Sequence, residues 1–233
     1  GYTKASEYAE IAIAQAKAAA QVMQSSESTS RSPEAQILYA DYLALRIKAA
    51  ELIMKIAETY PEGSSERKEG LETARRAFET LYETYSRYPG GFKARLLEAK
   101  AALALGDNAA ASECLDELLS LPMDKALYAV KTESIFLFGQ TVIDRGEPAD
   151  LFRLVDAFYE WKYANTLPPV FYITAEGLQI HLLAGRAVLK LNDLKTSDRT
   201  RYVEAAKQAF ADKKTTSLKL LNRPEKQVYE WFD

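Results

Sequence analysis

The chain has 233 residues, of which 48% are hydrophobic and 27% charged, and its formal net charge is −3. This composition argues against wholesale disorder, and a chain of this length buries enough surface to fold without disulfides or a structural metal. The single cysteine and single histidine exclude an internal disulfide, a four-cysteine metal site and any chemistry that needs two histidines. The weakly acidic charge gives no overall attraction to nucleic acid or anionic membranes.

The N terminus, Gly1-Tyr2-Thr3-Lys4, has neither a basic nor an apolar region typical of a signal peptide. No stretch approaches the roughly 18 uncharged apolar residues of a membrane-spanning helix. We therefore expect a soluble protein without a transmembrane segment. The sequence does not decide between the cytoplasm and, if a signal was removed, the periplasm.

Helix-forming residues dominate the chain, and no segment alternates β-branched residues long enough to predict a strand. Residues 1–24 are predicted to form an N-terminal helix, starting near residue 3. The serine-rich stretch 25–32 is predicted to be a linker, because its side chains favour turns and caps. Ser32 and Pro33 then suit the N-cap and first position of a helix.

The second helix, predicted over 33–60, has two apolar stripes. One stripe comprises Leu38, Tyr42, Leu45, Ala49, Leu52, Ile56 and Tyr60, and the other comprises Leu43, Ile47, Ala50 and Met54. A helix with two apolar stripes needs partners on both sides, which is typical of a stack of helices. A charged strip lies between them, with Glu51 and Lys55 predicted as an i,i+4 ion pair.

The same periodicity predicts further helices along the whole chain. They are placed near 65–88, 92–105, 108–121, 125–144, 148–166, 169–191 and 200–211, with short ones near 215–221 and 224–232. The sequence therefore predicts an all-α protein of about nine to eleven helices.

A repeated pattern links three of the predicted helix pairs. Ala99, Gly139 and Gly185 each precede by seven residues a Gly or Asn that suits a left-handed helix end, at Gly106, Gly146 and Asn192. An acidic residue then opens the next helix near its positive dipole end. We expect a neighbouring helix to come close at each of the three small residues.

Prolines are predicted to mark helix ends, because proline cannot continue a helix. They occur in Tyr60-Pro61, Tyr88-Pro89, Leu121-Pro122 and Leu167-Pro168.

The stretch 94–122, ARLLEAKAALALGDNAAASECLDELLSLP, resembles the tetratricopeptide repeat (TPR) family, and residues 134–158 and 182–193 are weaker copies. The resemblance implies a right-handed α-α superhelix of stacked antiparallel helix pairs. It implies a single TPR-like helical-repeat domain over 1–233, with helix pairs over 33–211 and short C-terminal helices over 212–233.

The resemblance also implies a non-enzymatic scaffold that binds a peptide or protein on a concave surface lined by the first helix of each pair. The ligand-facing positions of the family fall on Lys93, Lys100, Glu133, Phe136, Gln140, Arg186 and Lys190. Basic residues there would attract carboxylates and Phe136 would anchor an apolar side chain. No cofactor is expected.

None of the common metal, phosphate or hydrolase motifs occurs in the sequence. His181 could act as a general base, but we favour a packed, partly buried histidine because no catalytic partner is indicated nearby. Cys114 lies among apolar residues of a helix, which favours a buried thiol over a nucleophile. We therefore predict no catalytic and no metal-binding residues.

The densest aromatic run lies between Leu151 and Tyr172. Phe152, Tyr159, Trp161 and Tyr163 could form a platform for a small molecule or glycan, which is the alternative function. The interpretation that we favour is a solenoid helix with two buried faces.

The segment 194–226 is rich in lysine and arginine but has no aromatic interleaving, so nucleic-acid binding is not favoured. The rings of Tyr229, Trp231 and Phe232 at the C terminus are expected to fold back, to mediate self-association or to meet a following segment of a longer protein.

Overall fold

The computed structural model describes residues 33–164 and 174–191, together with residues 11, 14, 15 and 18 of the N-terminal segment, which are helical. All regular secondary structure in these residues is helical, which confirms the predicted all-α class. The linker at 25–32, the predicted helices after residue 192, and Pro168 lie outside the described residues.

The described part contains seven α-helices, each at a position where the sequence predicts one. They are α1 (Pro33–Glu58), α2 (Ser65–Tyr85), α3 (Pro89–Ala104), α4 (Asn108–Ser120), α5 (Tyr128–Arg145), α6 (Pro148–Lys162) and α7 (Ala175–Lys190). A single 3₁₀ turn, Lys125–Leu127, precedes α5.

Two of the predicted left-handed helix ends are confirmed. Gly106 follows α3 with a φ of 77°, and Gly146 ends α5 with a φ of 70°, a region that glycine adopts without steric penalty. Asp107 then caps α4, since its Oδ1 accepts a hydrogen bond from the Ala110 amide at 3.1 Å. The third predicted end, Asn192, lies outside the described residues.

Pro89 does not close a helix as predicted. The helix α2 ends at Tyr85, and Pro89 is the first residue of α3. Tyr88 is extended, with φ −117° and ψ 149°, as the residue before a proline prefers. Proline has no backbone N–H, but the N–H groups of the first helical turn have no partner within the helix. Pro89 therefore starts α3 without a penalty.

The chain divides into two compact units between Cys114 and Leu115, within α4. The first unit contains α1 to α3, and the second contains α5 to α7. The single repeat domain over the whole chain stays a prediction.

In the first unit the three helices pack pairwise against one another. The helices α1 and α2 are antiparallel, because a Cβ placed on Gly70, near the start of α2, would lie 2.6 Å from Ala57 Cβ near the end of α1. The helices α1 and α3 run parallel, since Gly90 lies against Leu43 and Lys93 pairs with Glu51 further along both helices.

The core of the first unit combines aliphatic residues and alanines with two aromatic rings. Its α1 residues include all four members of the second predicted stripe, which is confirmed as the buried face of α1. The core residues are Leu43, Ile47, Ala50, Met54, Ala57, Leu71, Ala74, Phe78, Leu81, Tyr85, Ala94, Leu97 and Ala101. Alanines and glycines at the crossings allow the helix backbones to come close.

The second unit has the same helix order. The helices α5 and α6 are antiparallel, because Thr132 near the start of α5 contacts Trp161 at the end of α6. The helices α5 and α7 run parallel, and α7 packs on both of its partners. Large side chains fill this core, with Tyr128, Phe138, Phe158 and Trp161 each buried.

The predicted close approach is confirmed at Gly139, and Ala99 is buried as a close approach requires. A Cβ on Gly139 would lie 2.9 Å from Leu183 Cδ1 and 3.2 Å from Leu154 Cδ1. At Gly185 no described atom lies within 4 Å of such a Cβ, so no helix of the described part approaches closely there. The α7 contact with α5 runs through Leu183 instead.

Candidate functional site

The predicted partner-binding residues form one row on each of three helices. Lys93 and Lys100 are seven residues apart on α3, and Arg186 and Lys190 are four apart on α7. The α5 row comprises Glu133, Phe136 and Gln140. Because residues three, four or seven apart share a helix face, each row points in one direction.

The α3 row belongs to the first unit, where Lys93 is held by the neighbouring α1. Its Nζ lies 3.4 Å from Glu51 Oε1, and Lys48 Nζ lies 3.2 Å from Glu51 Oε2. Burial opposes ionisation of Glu51, but the hydrogen bond from Lys48 and the charge of Lys93 lower the pKa of this carboxyl. The predicted pair of Glu51 with Lys55 is wrong, because the carboxylate is shared between these two other lysines.

The α5 and α7 rows belong to the second unit. Gln140 and Arg186 are exposed, whereas Glu133 and Phe136 are half-buried. Lys190 has a structural contact, because its Nζ donates a hydrogen bond to the Ile143 carbonyl at 2.6 Å. This ammonium therefore neutralises the C-terminal end of α5, where unpaired carbonyls concentrate negative charge.

The predicted aromatic platform is divided between core and surface. Trp161 has 0% exposed surface, and its Nε1 donates a 2.8 Å hydrogen bond to Thr132 Oγ1. Tyr163 is 59% exposed and stacks on Tyr159 with ring centroids 5.5 Å apart, and Phe152 is 38% exposed. A ring without exposed surface cannot stack on a ligand from solvent, so Trp161 does not belong to such a platform in this conformation.

His181 is buried against the rings of α6, as the favoured interpretation predicts. Its imidazole meets Phe158 at a centroid distance of 5.2 Å and Trp161 at 5.6 Å, both nearly perpendicular. Edge-to-face contacts of this kind stabilise aromatic clusters. The histidine therefore joins α7 to α6.

Cys114 is buried, as predicted, and lies in a polar cluster that the sequence does not reveal. Arg95 Nη1 donates to both carboxylate oxygens of Glu98 at 3.0 Å, and the arginine Cζ lies 4.9 Å from the centre of the Tyr82 ring. Burial raises the pKa of the Cys114 thiol to about 12, and the negative charge of Glu98 adds to this effect. Since the thiolate is the reactive form, this cysteine is a poor nucleophile at neutral pH.

Glu98 is 4% exposed, and its burial raises the pKa of the carboxyl although the hydrogen bond from Arg95 opposes this. The only sequence signal for the cluster is the i,i+3 spacing of Arg95 and Glu98, which also occurs on solvated helix faces.

Lys131 is the second buried charge that sequence reasoning missed. It is 1% exposed, and its Nζ donates to the Leu119 carbonyl at 2.6 Å and lies 3.5 Å from Glu160 Oε2. Burial lowers the pKa of the ammonium, and the charge of Glu160 opposes this. No sequence signal identifies it, because lysines in amphipathic helices are usually exposed.

Among the described side chains, no three His, Cys, Asp or Glu residues come together as a metal site would require. Within the same part of the chain, no helix has the length and apolar character of a membrane span.

The chain matches no protein-family model, and no curated protein or solved structure is significantly similar to it.

Proposed function

We propose that this protein is a non-enzymatic scaffold that binds a protein or peptide partner on the faces formed by its parallel helices. These are α1 and α3 in the first unit and α5 and α7 in the second. The finer architecture that we propose is a TPR-like right-handed superhelix, in which antiparallel helix pairs stack and every second helix lies in one layer.

The observation that carries the proposal is the order of helices within each unit. In both, a helix is followed by an antiparallel partner and then by a helix parallel to the first, and these two parallel helices pack on each other. The predicted binding rows lie on these parallel helices. Solvent-exposed side chains on adjacent parallel helices offer an extended surface that suits a peptide or partner helix.

The environment of the polar groups supports binding over catalysis. Cys114, Lys131 and His181 are buried and contact neighbouring helices. By contrast, Lys93, Gln140 and Arg186 are exposed. The reactive side-chain types therefore hold the helices together, while the surface carries groups suited to recognition.

Selection of random peptides displayed on phage against the immobilised chain tests the proposal. We expect enriched peptides that bind saturably as synthetic fluorescent peptides. Gln140→Trp, which places a bulky ring on the exposed α5 row, is expected to weaken that binding. The matched control, Asp156→Trp, places the same ring on an exposed position of α6. Absence of any binding peptide would contradict the proposal, and equal effects of the two variants would contradict binding on the face formed by α5 and α7.

A further inference from the structure

Four members of the first predicted stripe of α1 are covered although they do not face the core of the first unit. We call them the outer stripe: Leu45, Ala49, Leu52 and Ile56. With about 100° between successive residues, they lie roughly 160° around the helix axis from the stripe that contains Leu43 and Ile47. Among the described residues, none of the four is part of the core cluster of this unit or packs against it.

The burial of the outer stripe becomes clear by comparison with other positions of α1. Ala49 is 6% exposed, and the three larger side chains of the stripe are half-buried. By contrast, Ile37 is 62% exposed, and Ala44 is exposed as well. Because an alanine methyl group extends little beyond the backbone, whatever covers Ala49 must come close to α1.

The N-terminal segment, residues 1–24, can supply this cover. The first compact unit extends from Gly1 to Cys114, so it includes this segment. The helices α2 and α3 contact α1 on its other side, at Ala57 and Leu43. The connection 25–32 has eight residues, which is within the usual range for packed helices, and a short connection of this kind joins antiparallel neighbours.

The described residues of the segment show which of its faces is directed to solvent. Four residues that share one helix face are helical and exposed: Ile11, Ala14, Gln15 and Ala18. The opposite face of the predicted helix is apolar and mostly small, with Ala9, Ile13, Ala16 and Ala20. Small side chains allow two helix backbones to approach closely, as the burial of Ala49 requires.

We propose that residues 1–24 dock within the same chain on the outer stripe of α1, antiparallel to α1 and with their alanine-rich face against Leu45, Ala49 and Leu52. Burial of apolar surface on both sides drives this contact. The helix α1 then has a partner on each of its two apolar stripes. The outer stripe is therefore occupied by the chain itself and is not a surface for a second copy.

Thiol reactivity in the full chain tests the cover. Ala49→Cys places a small reactive side chain in the outer stripe, and Ala44→Cys places the same group at an exposed position of α1. The native Cys114 contributes little, because it is buried and its pKa is raised to about 12. With the thiol reagent DTNB at neutral pH, we expect the thiol of Ala49→Cys to react at least roughly tenfold more slowly than that of Ala44→Cys.

Substitutions in the N-terminal segment then identify what provides the cover. Ala16→Arg is expected to accelerate the reaction of the Ala49→Cys thiol roughly tenfold, because a charged side chain is not tolerated between the two apolar faces. Ala14→Arg is the matched control, since it makes the same change on the exposed face of the segment. We expect it to leave the rate unchanged, and neither substitution should alter the rate of Ala44→Cys.

The opposite outcomes are equally clear. Equal rates for Ala49→Cys and Ala44→Cys, or equal effects of Ala16→Arg and Ala14→Arg, would overturn the inference. A rate for Ala49→Cys that falls as the protein concentration rises would assign the cover to a second copy and would overturn it too. Circular dichroism checks the fold of each variant, and if Ala16→Arg loses helical signal, Ala16→Gln against Ala14→Gln gives the same comparison. Because the inference does not rest on the proposed function, its failure leaves that proposal standing.

Discussion

The two units use the same order of helices but pack them with different side chains. In the first unit, helices meet at glycines and alanines: Gly70 lies on Ala57, and Gly91 lies under the Tyr85 carbonyl. In the second unit, Trp161 and Phe158 fill the space between helices, and His181 closes the cluster.

The buried polar groups differ in the same way. In the first unit, Arg95 pairs with Glu98 on one helix and makes a cation–π contact with Tyr82. In the second, Lys131 bonds a backbone carbonyl and Trp161 bonds Thr132. The comparison teaches that one arrangement of helices can be built with more glycine and alanine contacts, as in the first unit, or with a larger cluster of rings, as in the second. We therefore expect the stability of the first unit to be most sensitive to added side-chain atoms at its glycines. We expect the stability of the second unit to be most sensitive to the loss of hydrogen-bond partners.

Gly91→Ala is expected to have the largest effect. The added Cβ would overlap the Tyr85 carbonyl oxygen, and a backbone atom in the short turn between α2 and α3 cannot rotate away. We expect a loss of about 3 kcal/mol in the free energy of unfolding. Urea unfolding followed by far-UV circular dichroism measures it, and hydrogen exchange should show lost protection in α1 to α3. An unchanged free energy of unfolding would contradict the close contact between Gly91 and the Tyr85 carbonyl.

Loss of the Trp161 hydrogen bond is the corresponding test of the second unit. Thr132→Val keeps the shape of the side chain but removes the acceptor of the indole N–H, so we expect a destabilisation of about 2 kcal/mol. Thr132→Ser keeps the hydroxyl and is expected to be milder. The two variants are compared by urea unfolding with tryptophan fluorescence. If Thr132→Ser is the more harmful one, packing of the methyl group outweighs the bond.

Lys131 tests whether the second unit depends on a charge or on the volume of the side chain. Lys131→Ala removes the donor to Leu119 and leaves a cavity, with an expected loss of about 2 kcal/mol. Lys131→Met fills the space and removes the desolvation penalty of the ammonium, so its effect is expected to stay within about 1 kcal/mol. Thermal unfolding of both variants provides the measurement. Equal losses would mean that the hydrogen bond dominates over packing.

Glu98 tests the buried pair of the first unit through its pH dependence. Because burial raises the pKa of Glu98 in the folded state, its stabilising contribution is fully present below the unfolded-chain pKa and is lost as the pH rises through the folded pKa. Relative to Glu98→Gln, the wild type is therefore expected to lose stability as the pH rises from about 4, where an unperturbed glutamate titrates, towards neutral pH.

Urea unfolding at a series of pH values measures this difference, and Glu83→Gln, at an exposed position of α2, provides the baseline. A wild type that gains stability over Glu98→Gln as the pH rises would show that Arg95 outweighs the burial of the carboxylate.

The smallest expected effect compares two glycines of the second unit. Gly185→Ala meets no described atom and is expected to stabilise α7 by about 0.5–1 kcal/mol through helix propensity. Gly139→Ala gains the same propensity, but its Cβ must displace Leu183 and Leu154. We expect the two variants to differ by about 1 kcal/mol in thermal unfolding. Equal stabilisation would mean that Leu183 and Leu154 move aside without a cost in stability.

Much of the local structure follows from the sequence, because it depends on neighbours along the chain. The buried stripe of α1 through Leu43 and Ile47 is predicted by its period, and Gly106 and Gly146 are predicted as helix ends by the conformation that they tolerate. The error at Pro89 arises because a proline that stops one helix can equally start the next.

The contacts between helices could not be predicted in this way. Glu51 pairs with Lys93 of another helix instead of Lys55 of its own, and Lys131 is buried although its residue type is usually exposed. Trp161, which was predicted as a member of the candidate ligand platform, lies in the core. Each outcome depends on which faces meet and at what register, and a single sequence does not specify these.

For the candidate site, the sequence predicts the rows on α3, α5 and α7. It does not predict which of their side chains are exposed and which are held by a neighbouring helix. Lys93 and Lys190 belong to these rows, yet they contact Glu51 and the Ile143 carbonyl. Within the part of the chain that the structure describes, Arg186 forms no hydrogen bond or ion pair, and the sequence alone does not distinguish it from the paired Arg145 and Arg153.

The sequence by itself determined that this chain is helical, roughly where most of the described helices begin and end, and that α1 carries apolar stripes. Helix propensity, caps and periodicity act over a few residues, so they can be deduced from the sequence alone. Only the tertiary structure decided which charges are buried and which stay available to a partner. That decision depends on long-range packing, because a buried charge persists only where another helix supplies its partner.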